Sequence, residues 1–369
     1  MEQHRTLSGG PTLMKQYQHA FVIGRFLPPH IGHLSMIQFA NQFAERTTVL
    51  VEQEDNEAID VDQRVQWLKQ SVRESEVTVL PLYGSQPASP PADPVAAAAF
   101  WHHWQEVIAR HAPGIDVLVS ADDYGQRLAR DQNIPWLPFD RQTFPISATV
   151  VKEKPWNRYQ WLVPAAQQSL LRRLVVVGAE STGKSVLSET LAHTGNHPTV
   201  FVPEYAEHWI RRQPGQPWDE NSLLTFLNGQ RASRDGLRAV ANRWMCEDSH
   251  ALTTAVWAEY LGLEQLAQDA YEQAYGDRPH HVVVCSTEGA VWNSDVHRPT
   301  PSDLAFFENR FIEKLDEWGW DYSVVAGDWE TRTAQAVAVR ERFLYRWQTA
   351  SWAEWANAPL TLPRLGIPK

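Results

Sequence analysis

The sequence predicts an α/β protein built from two doubly wound parallel-sheet domains. Three observations lead there. Short apolar runs alternate with helical patterns along most of the chain, as in strands connected by crossover helices. Two of those runs, residues 19–23 and 174–177, each lead into a glycine turn and then a helical pattern. Finally, 369 residues are long for one compact core, so two domains are expected.

The run 19–23 (HAFVI) reads as a buried strand. A Gly/Pro-rich turn follows, then a helical pattern over 31–43 and a second apolar strand at 47–51. Strand, helix, strand at this spacing is a βαβ unit and argues for a parallel sheet. Further strands are expected at 77–80 and 116–119, and residues 84–94, rich in Pro, Ser and Ala, read as a loop. The second half begins again at 174–177 and continues with strands at 199–202, 244–246, 282–285 and 322–325. The short polar stretch 164–169 marks the boundary. The expected domains are therefore 19–165 and 172–369, preceded by a flexible tail at 1–18.

Charge and composition narrow the function. With 33 basic and 44 acidic residues the net charge is −11, which argues against a nucleic-acid binder and leaves room only for local basic patches that hold phosphates. Two cysteines, Cys246 and Cys285, supply neither a disulfide framework nor a four-cysteine zinc site. Each is expected as a small buried residue in a reducing, cytoplasmic compartment. No apolar run is long enough for a membrane helix, and the first twenty residues lack the apolar core of a secretory signal. The partners expected are small molecules, not nucleic acid or membrane; a homo-oligomer stays open.

Two constellations carry chemistry. Residues 24–33 read GRFLPPHIGH and run from a strand through a turn into a helix. His30 and His33 are three apart and face the same side of a first helical turn. Gly32 lets a ligand approach the backbone, and the helix start adds N–H groups and a positive dipole end. Such a place holds a phosphate, and two imidazoles there can donate hydrogen bonds to a reacting phosphoryl group. The alternative, a helix start with two incidental histidines, is disfavoured by the βαβ context and by Arg25 alongside. Residues 178–185 read GAESTGKS and fit G-x-x-x-x-G-K-[ST] in full, between a strand and a helix. Gly178 and Gly183 permit the turn, and Ser181 and Thr182 belong to the anion nest. Lys184 reaches the β- and γ-phosphates, and the Ser185 hydroxyl faces magnesium.

GRFLPPHIGH resembles the GxFxPxHxGH signature of the nucleotidylyltransferase superfamily, with Gly24 and Phe26 at its start. The segment 146–152 (ISATVVK) resembles that family's ISxTxxR, contributing Ser147 and Thr149, with Lys152 in place of the arginine. Lysine keeps the charge and loses the bidentate fork. Residues 120–125 (SADDYG) resemble the S-E-D-Y-G segment of NadR-type nicotinamide-mononucleotide adenylyltransferases, and bring in Asp122 and Tyr124. Arg64 and Trp67 repeat an R-x-x-W of that group, and Asp140-Arg141 also fits. Trp67 reads either as an indole that stacks on a pyridinium ring or as a core residue of an amphipathic helix.

The later motifs resemble the ribosylnicotinamide kinase domain of the same family. Glu204-Tyr205-Ala206 is similar to E-Y-A-R, with Glu207 where the arginine stands. Glu204 reads as a contact to the nucleoside or as a helix-start carboxylate. Residues 242–254 resemble a Walker-B-like strand followed by D-T-D, here Asp248-Ser249-His250. Residues 291–298 resemble a lid in which Arg298 stabilises charge and Asp295 orients the loop; the alternative is a solvated arginine. Residues 327–332 (GDWETR) fit the last recognisable segment.

The order of motifs is similar to that of NadR-type bifunctional proteins, without the helix-turn-helix domain that some members carry at the N-terminus. The resemblance implies a Rossmann-like nucleotidylyltransferase followed by a P-loop kinase. It implies adenylyl transfer from ATP to nicotinamide mononucleotide, giving NAD and pyrophosphate, and ATP-dependent phosphorylation of nicotinamide riboside. Magnesium would be held by Ser185 and Asp248, and catalysis would fall to His30, His33, Lys184, Glu204, Asp248 and Arg298. Arg64, Trp67, Glu204 and Tyr205 would touch the acceptors. Two alternatives stand beside this: a nucleotidylyltransferase with a different acceptor, or a P-loop half that senses ATP or NAD without turnover.

Overall fold

The computed structural model describes residues 14–84, 86, 90–140, 144–290 and 304–357. They form two compact units. One runs to Lys152 and takes in Trp161–Ala166; the other comprises Glu153–Gln160 and the chain from Gln167 onward. The sequence reading placed a single boundary at 164–169, whereas the fold assigns residues 153–160 to the second unit.

Unit 1 contains, in order, β1 (Tyr17–Gly24), α1 (Ile31–Phe43), β2 (Ala44–Glu52), α2 (Val61–Ser71), β3 (Val77–Leu82), α3 (Pro94–His111), β4 (Val117–Ser120), α4 (Asp123–Asp131), β5 (Trp136–Pro138) and most of α5 (Ala148–Glu153). The strands form one all-parallel sheet in the order β3-β2-β1-β4-β5. Successive strand residues face opposite sides. Thus Val22, Val49 and Val119 pack with Ile37 and Leu68 in one cluster, while Phe21, Leu50 and Leu118 pack with Trp104 and Leu128 in another. Two departures from the expected layout follow from particular bonds. Residues 17 and 18, assigned to the tail, belong to β1, because the parallel pairing with β2 begins at Tyr17 opposite Ala44; the N–H groups of Gln18 and His19 also both donate to the Asp116 carboxylate at 2.8 Å. The edge strand β5 was not anticipated at all.

Unit 2 contains α6 (Pro155–Arg158), α7 (Pro164–Ser169, its start in unit 1), β6 (Arg172–Gly178), α8 (Lys184–His193), β7 (Val200–Val202), α9 (Tyr205–Arg212), α10 (Glu220–Arg238), β8 (Trp244–Asp248), α11 (Ala251–Tyr260), α12 (Glu264–Gly276), β9 (His281–Cys285), α13 (Leu304–Glu317), β10 (Tyr322–Val325), α14 (Trp329–Thr349) and α15 (Trp352–Ala356). Its sheet is again all parallel, in the order β10-β9-β6-β8-β7. Both cysteines lie buried in strands and are free thiols. Arg172 opens β6 fully buried. Its guanidinium lies between the rings of Trp347 and Trp355, at 4.1 and 4.2 Å, and donates to the Trp355 carbonyl at 2.6 Å. Burial pulls its pKa down to about 9, and the two indole faces supply cation–π attraction that ties α14 and α15 to the central strand. Among the described residues no helix is long and apolar enough to cross a membrane.

Aspartates fix where helices begin. Asp60, Asp93, Asp122, Asp219 and Asp328 each accept a hydrogen bond from a backbone N–H in the first turn of the helix that follows. Both sheets reverse direction beside their first strand, so each leaves a crevice at the carboxyl end of that strand, where ligands of open α/β sheets bind.

Candidate active sites

The first site lies at the carboxyl end of β1. A cleft of about 710 Å³ is lined there by Gly24, Arg25, Phe26, His33, Asp122, Tyr124, Thr149 and Lys152, among others. An adjoining cavity of about 240 Å³ is lined by His30, Gly32, His33, Ser147 and Thr149. The two signatures thus meet, although more than a hundred residues separate them in sequence.

Local geometry explains the HxGH spacing. His30 is the N-cap of α1 in extended conformation, and its N–H donates to His33 Nδ1 at 3.2 Å. That bond places the His33 proton on Nε2, making that nitrogen an N–H donor. The two imidazoles stack with centroids 3.6 Å apart, and Phe26 meets His33 edge-on at 4.9 Å. A Cβ on Gly32 would come within 3.2 Å of the His30 ring, so the glycine makes room for the stacked pair. Ser147 Oγ accepts the Val150 N–H at 3.3 Å and opens α5, which carries Thr149 and Lys152 to the cleft. Asp122 caps α4 by accepting the Gly125 N–H at 3.1 Å. A Cβ on Gly125 would lie 1.9 Å from Ser120 Oγ, so this turn admits only glycine. Tyr124 packs among Phe100, Trp101 and Trp104, and burial raises the pKa of its hydroxyl.

Two expected substrate contacts are corrected. Arg64 is 0% exposed and does not line the cleft. Its guanidinium donates to the carbonyls of Arg25 and Glu52 (the latter at 3.0 Å) and pairs with the Glu57 carboxylate. It braces the loop after β1 against the end of β2. Trp67, 2% exposed, has no ring face left to stack on a ligand and is a core residue of α2. Asp140 is exposed, and Arg141 lies outside the described residues.

Glu52 and Trp101 are among the cleft residues that were not anticipated. Glu52 ends β2 and lines the cleft; burial raises its pKa to about 7, with Arg25 opposing the shift. Its signal was a lone carboxylate closing an apolar strand. Trp101 also lines the cleft, 5.7 Å from Tyr124 and under the Arg127 guanidinium at 4.6 Å. No spacing rule marked it.

The second site lies at the carboxyl end of β6. Gly178 is needed because a Cβ would sit 2.7 Å from the Cys285 carbonyl oxygen, and Gly183 has φ +82° with the Trp329 ring against it. Ser181, at φ 59°, completes the loop. Thr182 Oγ1 donates to the Ala179 carbonyl at 2.8 Å, and Lys184 Nζ donates to the same oxygen at 3.2 Å. Arg332 clamps the loop from outside, donating to the carbonyls of Thr182, Glu288 and Gly327 at 2.6, 2.9 and 3.0 Å. This is the part played by the final segment, GDWETR.

Ser185 stands among carboxylates. Its Oγ lies 3.5 Å from Glu207 Oε2, and Glu204, Glu207 and Asp248 offer oxygens within 4.8 Å of one another. Burial and Glu204 raise the Asp248 pKa to about 7, against the pull of Lys184 and Ser185. Oxygen-only donors with one serine hydroxyl suit a hard divalent cation.

Glu204 is the N-cap residue of α9 and lines a narrow, nearly closed cleft with Trp218, Phe226, His250 and Trp257; the Trp218 and Trp257 rings lie 4.8 Å apart. Tyr205, expected to touch the acceptor, is used otherwise. Its ring packs on Gly229 and its N–H donates to Gln230 Oε1 at 2.8 Å, while Gln230 Nε2 reaches the Asp248 carbonyl at 3.0 Å. His250 is neutral, its pKa pushed down to about 3 by burial and by Arg173. Its Nδ1 accepts the Leu252 N–H at 3.3 Å, so it caps α11, and its Nε2 donates to the Asp277 carbonyl at 3.1 Å. Arg298 and Asp295 lie outside the described residues.

Comparison with known proteins agrees with this arrangement. Residues 21–160 match a cytidylyltransferase-like family, and residues 173–332 match an AAA domain family. The chain is 23% identical over 349 residues to the trifunctional NAD biosynthesis/regulator protein NadR of Escherichia coli K12, covering 87% of this chain and 82% of the relative. It is 22% identical to the protein of the same description from Salmonella typhimurium, covering 88% and 82%. Among solved structures, it is similar to a NadR protein in complex with NR, with a TM-score of 0.68, 17% identity, and 91% and 98% of the two chains covered. It is also similar to a NadR protein in complex with NAD and AMP-PNP, with a TM-score of 0.67, 17% identity, and 96% and 100% covered. In motif order, domain content and fold, the chain is similar to NadR-type proteins.

Proposed function

We propose that unit 1 makes NAD from ATP and nicotinamide mononucleotide, and that unit 2 phosphorylates nicotinamide riboside with ATP. The observation that carries the reading is the meeting of His33 with Thr149 and Lys152 in one cleft at the end of β1.

In unit 1 a phosphate oxygen of the mononucleotide attacks the α-phosphorus of ATP. The bond from that phosphorus to the bridging oxygen breaks, and pyrophosphate leaves. No covalent nucleophile is required, only alignment and charge stabilisation. His33 Nε2–H and the first amides of α1 donate to the reacting phosphoryl group, and Lys152 balances the departing pyrophosphate. Trp101, with the Arg127 guanidinium over its ring, is the indole that lines this cleft.

In unit 2 the riboside 5′-hydroxyl attacks the γ-phosphorus, its proton passes to a carboxylate, and ADP leaves. Glu204 is the carboxylate nearest the acceptor cleft. Trp218 and Trp257, whose rings contact each other, line that cleft. Lys184 spans the β- and γ-phosphates. Magnesium, held by Ser185 and Asp248, would screen the phosphate charge when bound.

The test separates the halves. With ATP and magnesium, His33→Ala should abolish NAD formation from the mononucleotide and spare riboside phosphorylation; Lys184→Ala should do the reverse. A folded variant that lost both reactions would overturn the two-site model. NAD from the mononucleotide together with no phosphorylation of the riboside would favour the sensor alternative for unit 2.

A further inference from the structure

We propose that unit 2 carries a preformed divalent-cation site, made by Glu204, Glu207 and Asp248, that fills before any nucleotide arrives. The inference goes beyond the kinase reading, since it does not depend on which acceptor is phosphorylated.

Two observations point to it. The three carboxylates come from the N-cap position of α9, the first turn of α9 and the end of β8, yet one oxygen of each lies within 4.8 Å of the others. Oxygens trans across one ion stand about 4.0–4.2 Å apart for Mg²⁺ and about 4.6–5.2 Å apart for Ca²⁺, from the usual metal–oxygen distances. The cluster therefore has the size of a single hard cation. Independently, Asp248 is 0% exposed, and neither of its carboxylate oxygens has a hydrogen-bond partner among the described residues. A buried carboxylate without donors is costly, and a cation relieves it. Arg211 pairs with Glu207 from a side chain that is 70% exposed, and Lys184 bonds the Ala179 carbonyl while its charge acts on Asp248.

Glu207 makes the site particular to this chain. The E-Y-A-R motif has an arginine there, whose charge would exclude a cation. Here a carboxylate stands 3.5 Å from the Ser185 hydroxyl, so the P-loop serine and the acidic trio face one point. Ordinary P-loop geometry brings the ion in on the triphosphate. Three converging carboxylates allow it to bind first, because affinity for hard cations rises with ligand charge.

The experiment is a Mn²⁺ titration of the full chain without nucleotide, followed by electron paramagnetic resonance of the free ion. The expected result is a Mn²⁺ site displaced by Mg²⁺ and weakened at least about tenfold by Glu207→Gln and by Glu204→Gln. Arg211→Ala, which leaves the trio intact, should keep it. Should Glu207→Gln fail to fold by circular dichroism, Glu207→Arg, which restores the motif's residue, replaces it and should abolish the site. No nucleotide-free binding up to about 1 mM Mn²⁺, or binding that the Glu207 variants leave unchanged, would overturn the proposal. Neither result bears on riboside phosphorylation, so the two readings fail separately.

Discussion

Arg64 offers a clear separation between a contact with ligand and a contact that shapes the site. As a ligand contact its loss would raise the KM for the mononucleotide and leave the fold alone. The structure argues for the opposite. Arg64 is fully buried in α2, holds two backbone carbonyls, and neutralises Glu57 close to Glu52 and Glu54. Arg64→Ala leaves Glu57 buried without its cation and two carbonyls without donors. Breaking a buried ion pair on one side costs about 3–5 kcal/mol. At about 2–4 °C per kcal/mol for a domain of this size, the unfolding transition of unit 1 should fall by roughly 10 °C. Arg64→Lys should recover only part of this, because an ammonium cannot serve a carboxylate and two carbonyls in one plane. Differential scanning calorimetry, with bound AMP to identify the transition of unit 1, measures the loss. NAD formation measured below the melting temperature gives KM. A variant that melts within about 1 kcal/mol of the parent while its KM for the mononucleotide rises more than tenfold would refute the bracing role.

Two further outcomes follow from unit 1. Gly125→Ala places a methyl against Ser120 and should cost about 1–3 kcal/mol of stability; Ser120→Gly on that background should restore part of it, and no recovery in the melting curve would count against the clash. Glu52 has a pKa raised to about 7, so it is neutral below that pH and gains its charge as pH rises through it. ATP affinity of unit 1 should therefore fall by about fivefold from pH 6 to pH 8, as a carboxylate appears beside phosphate. Glu52→Gln should flatten the profile in calorimetric titrations, and an unchanged slope would remove Glu52 from the cleft's electrostatics.

The strands were legible because parallel strands covered on both faces read as short apolar runs. β5 was not, since its three residues end in proline at the sheet edge and carry no run. The phosphate loop was legible for a different reason. Its glycines answer backbone demands, a left-handed φ at Gly183 and a carbonyl against Gly178, and such demands leave a fixed spacing in sequence. Arg64 carried no such mark. Whether an arginine is buried depends on acceptors elsewhere in the chain, here the carbonyls of Arg25 and Glu52. Tyr205 was misread for the same reason, because the glycine that receives its ring lies in the next helix.

His250 and Glu207 look like two separate losses when each is compared with its motif. In the fold they form one exchange. E-Y-A-R with D-T-D holds three carboxylates and one arginine; Glu204, Glu207 and Asp248 are again three carboxylates, with the third moved from the start of α11 to the first turn of α9. The vacated position still needs a hydrogen-bond acceptor for the start of α11. A neutral imidazole supplies one through Nδ1, and its Nε2 reaches Asp277. A charged His250 is excluded by burial and by Arg173, so the substitution lowers the negative charge there without adding a positive one. At the phosphate loop the change runs the other way, since a carboxylate 3.5 Å from the Ser185 hydroxyl stands where E-Y-A-R has an arginine. The acidic count is kept, and its centre moves toward Ser185.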